Sequence, residues 1–141
     1  MSKSTLRCFL LTPTGRGAIA VISAFGEQAV SHIEAMFESA TGKRLSEAGD
    51  ESILYGRWRS TREDVIIAKR ANRVEIHCHG GQAAPTAILD SLVAAGFTLQ
   101  DLHQAAQDWF GNEWQASLAI ALGLASTAKT AELLLNQFQL A

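Results

Sequence analysis

Proline and cysteine are scarce in this chain, with two of each among 141 residues. Cys8 and Cys78 each sit inside an apolar, strand-like pattern, so they read as reduced core residues rather than as a disulfide framework. An excess of one charge is also missing. Twelve Lys and Arg residues against fourteen Asp and Glu residues give a formal net charge of −2, which removes the global electrostatic case for a strong nucleic-acid binder. Long apolar runs are absent as well. Cys8-Phe9-Leu10-Leu11 falls far short of the about eighteen residues needed to span a bilayer, and it is too short for a signal-peptide core. The expectation is a soluble, cytoplasmic protein that does not enter a membrane.

A local basic strip survives this accounting. Arg57, Arg59, Arg62, Lys69, Arg70 and Arg73 fall within seventeen residues, interrupted by Glu63 and Asp64. A solvated sheet face is the simpler explanation of such a strip.

Short apolar runs at residues 6–11 and 18–22 flank Pro13, Gly15 and Gly17, which predicts two strands joined by a glycine loop. Val30, Ile33, Met36 and Phe37 form a one-sided stripe, predicting a helix that ends near residue 39. Residues 43–51 are polar and predict a surface loop. Strands are expected at 53–58, 64–68 and 73–78, the first two joined by a hairpin at 60–63. After Gly80-Gly81 the pattern turns helical until Gly96, which stands where a C-terminal glycine cap would. A short helix is expected at 101–110. One or two Ala/Leu-rich helices, broken at Gly123, then run to the end. Strands and helices in unequal blocks argue for an α+β fold with a mixed sheet, packed helices and a C-terminal helical tail. The division is drawn at an α+β domain over 1–110 and a helical segment over 111–141. A length of 141 residues suits one compact domain and an appendage.

Two segments carry the chemistry. Thr12-Pro13-Thr14-Gly15-Arg16-Gly17-Ala18-Ile19 places a guanidinium between glycines, and Val74-Glu75-Ile76-His77-Cys78-His79-Gly80-Gly81 ends a strand in a second glycine turn. Glycine permits close backbone approach, so Gly15 and Gly17 can bring N–H groups and the Arg16 guanidinium to an anionic or carbonyl-rich ligand. Glu75 can accept paired hydrogen bonds from a ring with adjacent N–H donors. A solvent-exposed turn arginine and an ordinary strand carboxylate are the simpler alternatives. His77 and His79 point to one face of a strand, yet two imidazoles without a third ligand do not make a metal site. Residues 123–130, Gly-Leu-Ala-Ser-Thr-Ala-Lys-Thr, miss a phosphate loop by one glycine and lie in a helical region rather than after a strand. No nucleophile–base pair stands out, so no independent catalytic activity is expected.

Taken together and in this order, the two segments resemble the N-terminal domain of the tRNA-modifying GTPases called MnmE or TrmE. The patterns there run roughly T-P-x-G-R-G-x-I-x-I-x-R-x-S-G and V-E-x-x-x-H-G-G. The resemblance implies a fold like that of the folate-binding domain of this family and of the glycine-cleavage aminomethyltransferases. It also implies a homodimer that binds a tetrahydrofolate derivative, 5-formyl or 5,10-methylene, in tRNA wobble-uridine modification. Arg16, Glu75, Gly15, Gly17, His79 and Gly80 map onto the ligand side of those motifs. Residues 128–132 resemble the opening of the family's central helical domain.

The departures are as specific as the matches. Ser23 stands where the family has an arginine, the lysine-bearing P-G-E-F-T-x-R-A-F-L-N-G-K segment is absent, and the N-S-[FY]-T-G-E-D loop is reduced to Ser60-Thr61-Arg62-Glu63-Asp64. The family's catalytic cysteine and GTPase domain have no counterpart in these residues. The chain therefore reads as a fragment or a stand-alone derivative. A GTPase domain encoded elsewhere or a tRNA-modification partner enzyme would then complete it. The alternative is a degenerate dimerisation module that has lost its ligand.

Overall fold

A computed structural model describes residues 5–13, 15 and 17–140. The chain is α+β, with seven strands in one mixed sheet and five α-helices. Two compact units divide between Leu99 and Gln100.

The first unit holds the sheet. Its strands are β1 (Arg7–Leu10), β2 (Ile19–Phe25), β3 (Phe37–Ser39), β4 (Ser52–Trp58), β5 (Asp64–Lys69), β6 (Val74–His79) and β7 (Thr98–Leu99). They lie in the order β3-β4-β5-β6-β2-β1-β7. Every pairing is antiparallel except β1 with β7. Alternation along β4 buries Leu54, Gly56 and Trp58 and exposes Ile53, Tyr55 and Arg57, the period-two pattern of a sheet with one covered face. On the covered face, Ile22, Ile67, Val74, Ile76 and Cys78 join Ile33 of α1 (Ala29–Met36) and Ile88 and Leu92 of α2 (Ala83–Ala94) in one core.

Helix α2 stops where its sequence stops it. Gly96 takes a left-handed φ of 107°, the Phe97 N–H donates to the Leu92 carbonyl at 3.0 Å and the Gly96 N–H to Val93 at 3.0 Å. These two bonds satisfy the last carbonyls of the helix and turn the chain toward β7.

The predicted outline needs three corrections. The first helix ends at Met36 and Phe37 opens the extended edge strand β3, opposite Trp58. A buried aromatic at the end of a helical stripe faces the core in either conformation, so periodicity does not mark the switch. The second correction is that residues 43–51 are not purely surface. A short 3-10 turn, Leu45–Glu47, buries Leu45 along with Ala48, and the Lys69 Nζ donates to the carbonyls of Leu45 and Ala48 at 3.2 and 2.7 Å. Third, Thr98 and Leu99 after the Gly96 cap form a two-residue strand, β7, parallel to β1.

The second unit holds α3 (Leu102–Phe110), α4 (Glu113–Gly123) and α5 (Ala128–Leu140). Asp101 and Gln104 form a reciprocal capping box on α3, and the Asn112 side chain accepts from the Gln115 N–H at the start of α4. The Thr127 hydroxyl accepts from the Thr130 N–H at the start of α5. Each cap satisfies amides that a helix start leaves without partners. Helix α3 packs on α4 and so belongs to this unit.

Gly56 is where β3 approaches β4 too closely for any side chain. A Cβ there would lie 2.1 Å from the Glu38 carbonyl oxygen and 2.7 Å from the Phe37 ring. Gly56→Ala should therefore cost about 1–3 kcal/mol of stability. Gly49→Ala, whose Cβ would meet nothing nearer than 3.9 Å, should stay within about 0.5 kcal/mol. Urea denaturation of both variants checks this.

Candidate functional site

The six-residue ladder between β2 and β6 brings the two motif segments together. Its register sets Ser23 opposite Glu75, Val21 opposite His77 and Ile19 opposite His79. At its end the Gly80 N–H donates to the Ala18 carbonyl at 2.9 Å. A Cβ on Gly80 would stand 1.7 Å from the Gly17 carbonyl oxygen, so only glycine lets the second turn lie against the first loop. Gly15 has a φ of 128° and its carbonyl accepts from the Gly17 N–H at 3.1 Å. The Thr12 hydroxyl accepts from the Val21 N–H at 3.1 Å and pins the loop to β2. Of the predicted site residues, Gly17 and Gly80 meet here, with Gly15 hydrogen-bonded to Gly17 and His79 next in the chain to Gly80. Glu75 stands on the same ladder, and Arg16 lies outside the described residues.

Strand alternation puts Glu75, His77 and His79 on the sheet face opposite α1 and α2, while Cys78 points into the core. Glu75 is 8% exposed. Its Oε1 accepts from the Arg73 Nε at 3.3 Å and Nη2 at 3.2 Å. Its Oε2 lies 3.5 Å from the Arg70 guanidinium and 3.6 Å from the His77 Nε2. Burial alone would raise the carboxyl's pKa, but the Arg73 hydrogen bonds and charge, with Arg70 behind them, outweigh burial and hold it below its ordinary value. One carboxylate oxygen is thus committed to Arg73, and the other has only long contacts. Beside it the Ser23 hydroxyl is buried without a hydrogen-bond partner among the described residues. An orphaned hydroxyl next to a carboxylate marks a polar spot that the protein does not itself complete.

The basic strip is largely consumed internally. Arg57 pairs with Asp64 at 3.3 Å, Arg62 with Glu38 at 3.8 Å, and Arg70 with Glu51 as well as Glu75. Among the described residues no three His, Cys, Asp or Glu side chains gather as a metal site would require. The described residues include no helix long and apolar enough to cross a membrane. Burial pushes the thiols of Cys8 and Cys78 up to about 11, so both stay protonated and unreactive near neutral pH. The segment from Gly123 to Thr130 spans the end of α4 and the start of α5, with no strand to feed a phosphate loop.

One contact escaped the sequence. Glu63, legible there only as a break in a basic run, reaches from the β4–β5 hairpin to both the imidazole Nδ1 and the backbone N–H of His79.

Because the folded Glu75 carboxyl titrates below its ordinary value of 4.5, its contribution to stability is present above that value. It is lost as pH falls through the folded pKa. Glu75→Gln should be less stable than wild type by about 1–3 kcal/mol at neutral pH. The gap should close on acidification, which denaturation curves across the acid range would record.

No protein-family model matches the chain. Curated relatives do. The tRNA modification GTPase MnmE of Geobacillus kaustophilus is 31% identical over an alignment 145 positions long, covering 91% of this chain and 31% of the relative. MnmE of Geobacillus thermodenitrificans is 30% identical with the same coverage. MnmE of Oceanobacillus iheyensis is 32% identical over 103 residues, 64% of this chain and 22% of the relative. The chain is an MnmE-related domain, and it spans about a third of the length of the first two of these relatives.

Proposed function

We propose that this MnmE-related chain serves tRNA wobble-uridine modification as a divergent N-terminal-type module that binds a tetrahydrofolate one-carbon donor weakly and self-associates. It performs no chemistry of its own. The observation that carries this reading is the meeting of Gly17 with Gly80 at the end of the ladder that bears Glu75 and His79. A pterin-like ring offers adjacent N–H donors that suit the Glu75 Oε2. The likeness to the folate-binding domain belongs to this proposal, as does a cytoplasmic location. The same holds for a partner, either a tRNA-modification enzyme or a GTPase domain encoded elsewhere.

A second reading has its own support. Ser23 replaces an arginine of the family pattern and leaves a bare hydroxyl, and Arg73 already occupies one Glu75 oxygen. Those features fit a dimerisation module that has lost its ligand.

Each charge-assisted bond missing from a partly exposed ligand removes about 1.5–3 kcal/mol. With the Ser23 arginine and the lysine segment both gone, 5-formyltetrahydrofolate should bind no more tightly than about 100 µM. Glu75→Ala should abolish the remainder in a fluorescence titration. Silence from the wild-type protein favours the second reading, and tight binding by both proteins contradicts the first.

Self-association is tested separately. Light scattering at micromolar concentration should give twice the 15.2 kDa chain mass, and a clean monomer would reject both readings.

A further inference from the structure

The register of β5 with β6 runs from Lys69 opposite Val74 to Ile66 opposite His77 and stops two residues short of His79, whose N–H takes a side-chain partner instead. The Glu63 side chain supplies it. Its Oε1 accepts the His79 backbone N–H at 3.3 Å and also contacts the His79 Nδ1. The Glu63 side chain is 22% exposed and the His79 side chain 69%, so the hairpin end holds one edge of the imidazole and leaves the other free. The hairpin is itself fixed, since the Trp58 N–H donates to the Glu63 carbonyl at 2.8 Å.

An ionised carboxylate only accepts, so the nitrogen facing it must carry the proton. In the neutral imidazole Nε2 is then left with its lone pair. We propose that Glu63 is the positioning residue that holds His79 as the Nδ1–H tautomer, presenting Nε2 as a hydrogen-bond acceptor at the Gly80 turn. The ligand edge that fits such a turn is a donor, an amide N–H or an amine rather than a carboxylate. This assignment of ligand chemistry rests on the reading above that a ligand sits at the glycine turns. The tautomer itself does not. A carboxylate–imidazole couple of this kind also fixes the ring plane, as it does behind metal-bound histidines.

The test is ¹⁵N NMR of the imidazole nitrogens at about pH 8, above the ordinary histidine range, with wild type, Glu63→Gln and Glu63→Ala compared. In the wild type the His79 Nε2 should resonate as an unprotonated nitrogen. Glu63→Gln, whose amide oxygen still accepts, should keep that signature, whereas Glu63→Ala should shift His79 toward the Nε2–H form. A wild-type Nε2–H, or no change in Glu63→Ala, overturns the proposal. A merely structural Glu63 would alter stability and leave the tautomer alone. Titrating 5-formyltetrahydrofolate into the same samples separates the two claims. Wild-type silence there defeats the ligand reading while the NMR result still decides the role of Glu63. Equal affinity in wild type and Glu63→Ala defeats the assignment of a ligand donor to the His79 Nε2 even with the tautomer confirmed.

Discussion

The pairing of β2 with β6, sealed by the Gly80 amide on the Ala18 carbonyl, is the constraint on which the rest of the site depends. Its register decides which side chains become neighbours, and a slip of one residue would turn Glu75, His77 and His79 into the core and Cys78 out of it. The Gly80 approach to Gly17 opposes the slip that would bring His79 to that place, because a Cβ does not fit there.

Charge is handled locally around this ladder. Glu75 would be costly to bury alone, and the flanking Arg73 and Arg70 keep it ionised. Arg70 in turn reaches Glu51 just ahead of β4, so one small network ties three neighbouring strands at one end. At the other end Glu63 and His79 do the same for the β4–β5 hairpin and β6. Opposite Glu75 the Ser23 hydroxyl has no partner among the described residues, and it occupies the position where the related pattern has an arginine.

Much of this was legible in the sequence because it rests on short-range signals. Short strand-like runs marked β4, β5 and β6, Gly96 marked the end of α2, and composition gave one or two helices broken at Gly123, of which the structure has two, α4 and α5. What escaped depends on distant partners. Phe37 reads as helix until its pairing with Trp58 is known, and Leu45 gives no periodic signal in a polar stretch. The Arg73 and Glu63 contacts follow from register, which no local pattern encodes. Arg16 and Glu75 could be singled out as residue types, but that Glu75 would already be held by Arg73 could not.

In the proposed function the two glycine turns and the β2–β6 ladder they close form one ligand site. Amide chemical-shift mapping of the ¹⁵N-labelled protein with millimolar 5-formyltetrahydrofolate tests this directly. Shifts should concentrate at Gly15, Gly17, Ala18, Ser23, Glu75, His79 and Gly80. Shifts confined to α4 and α5, or to the loop around Leu45, would contradict it.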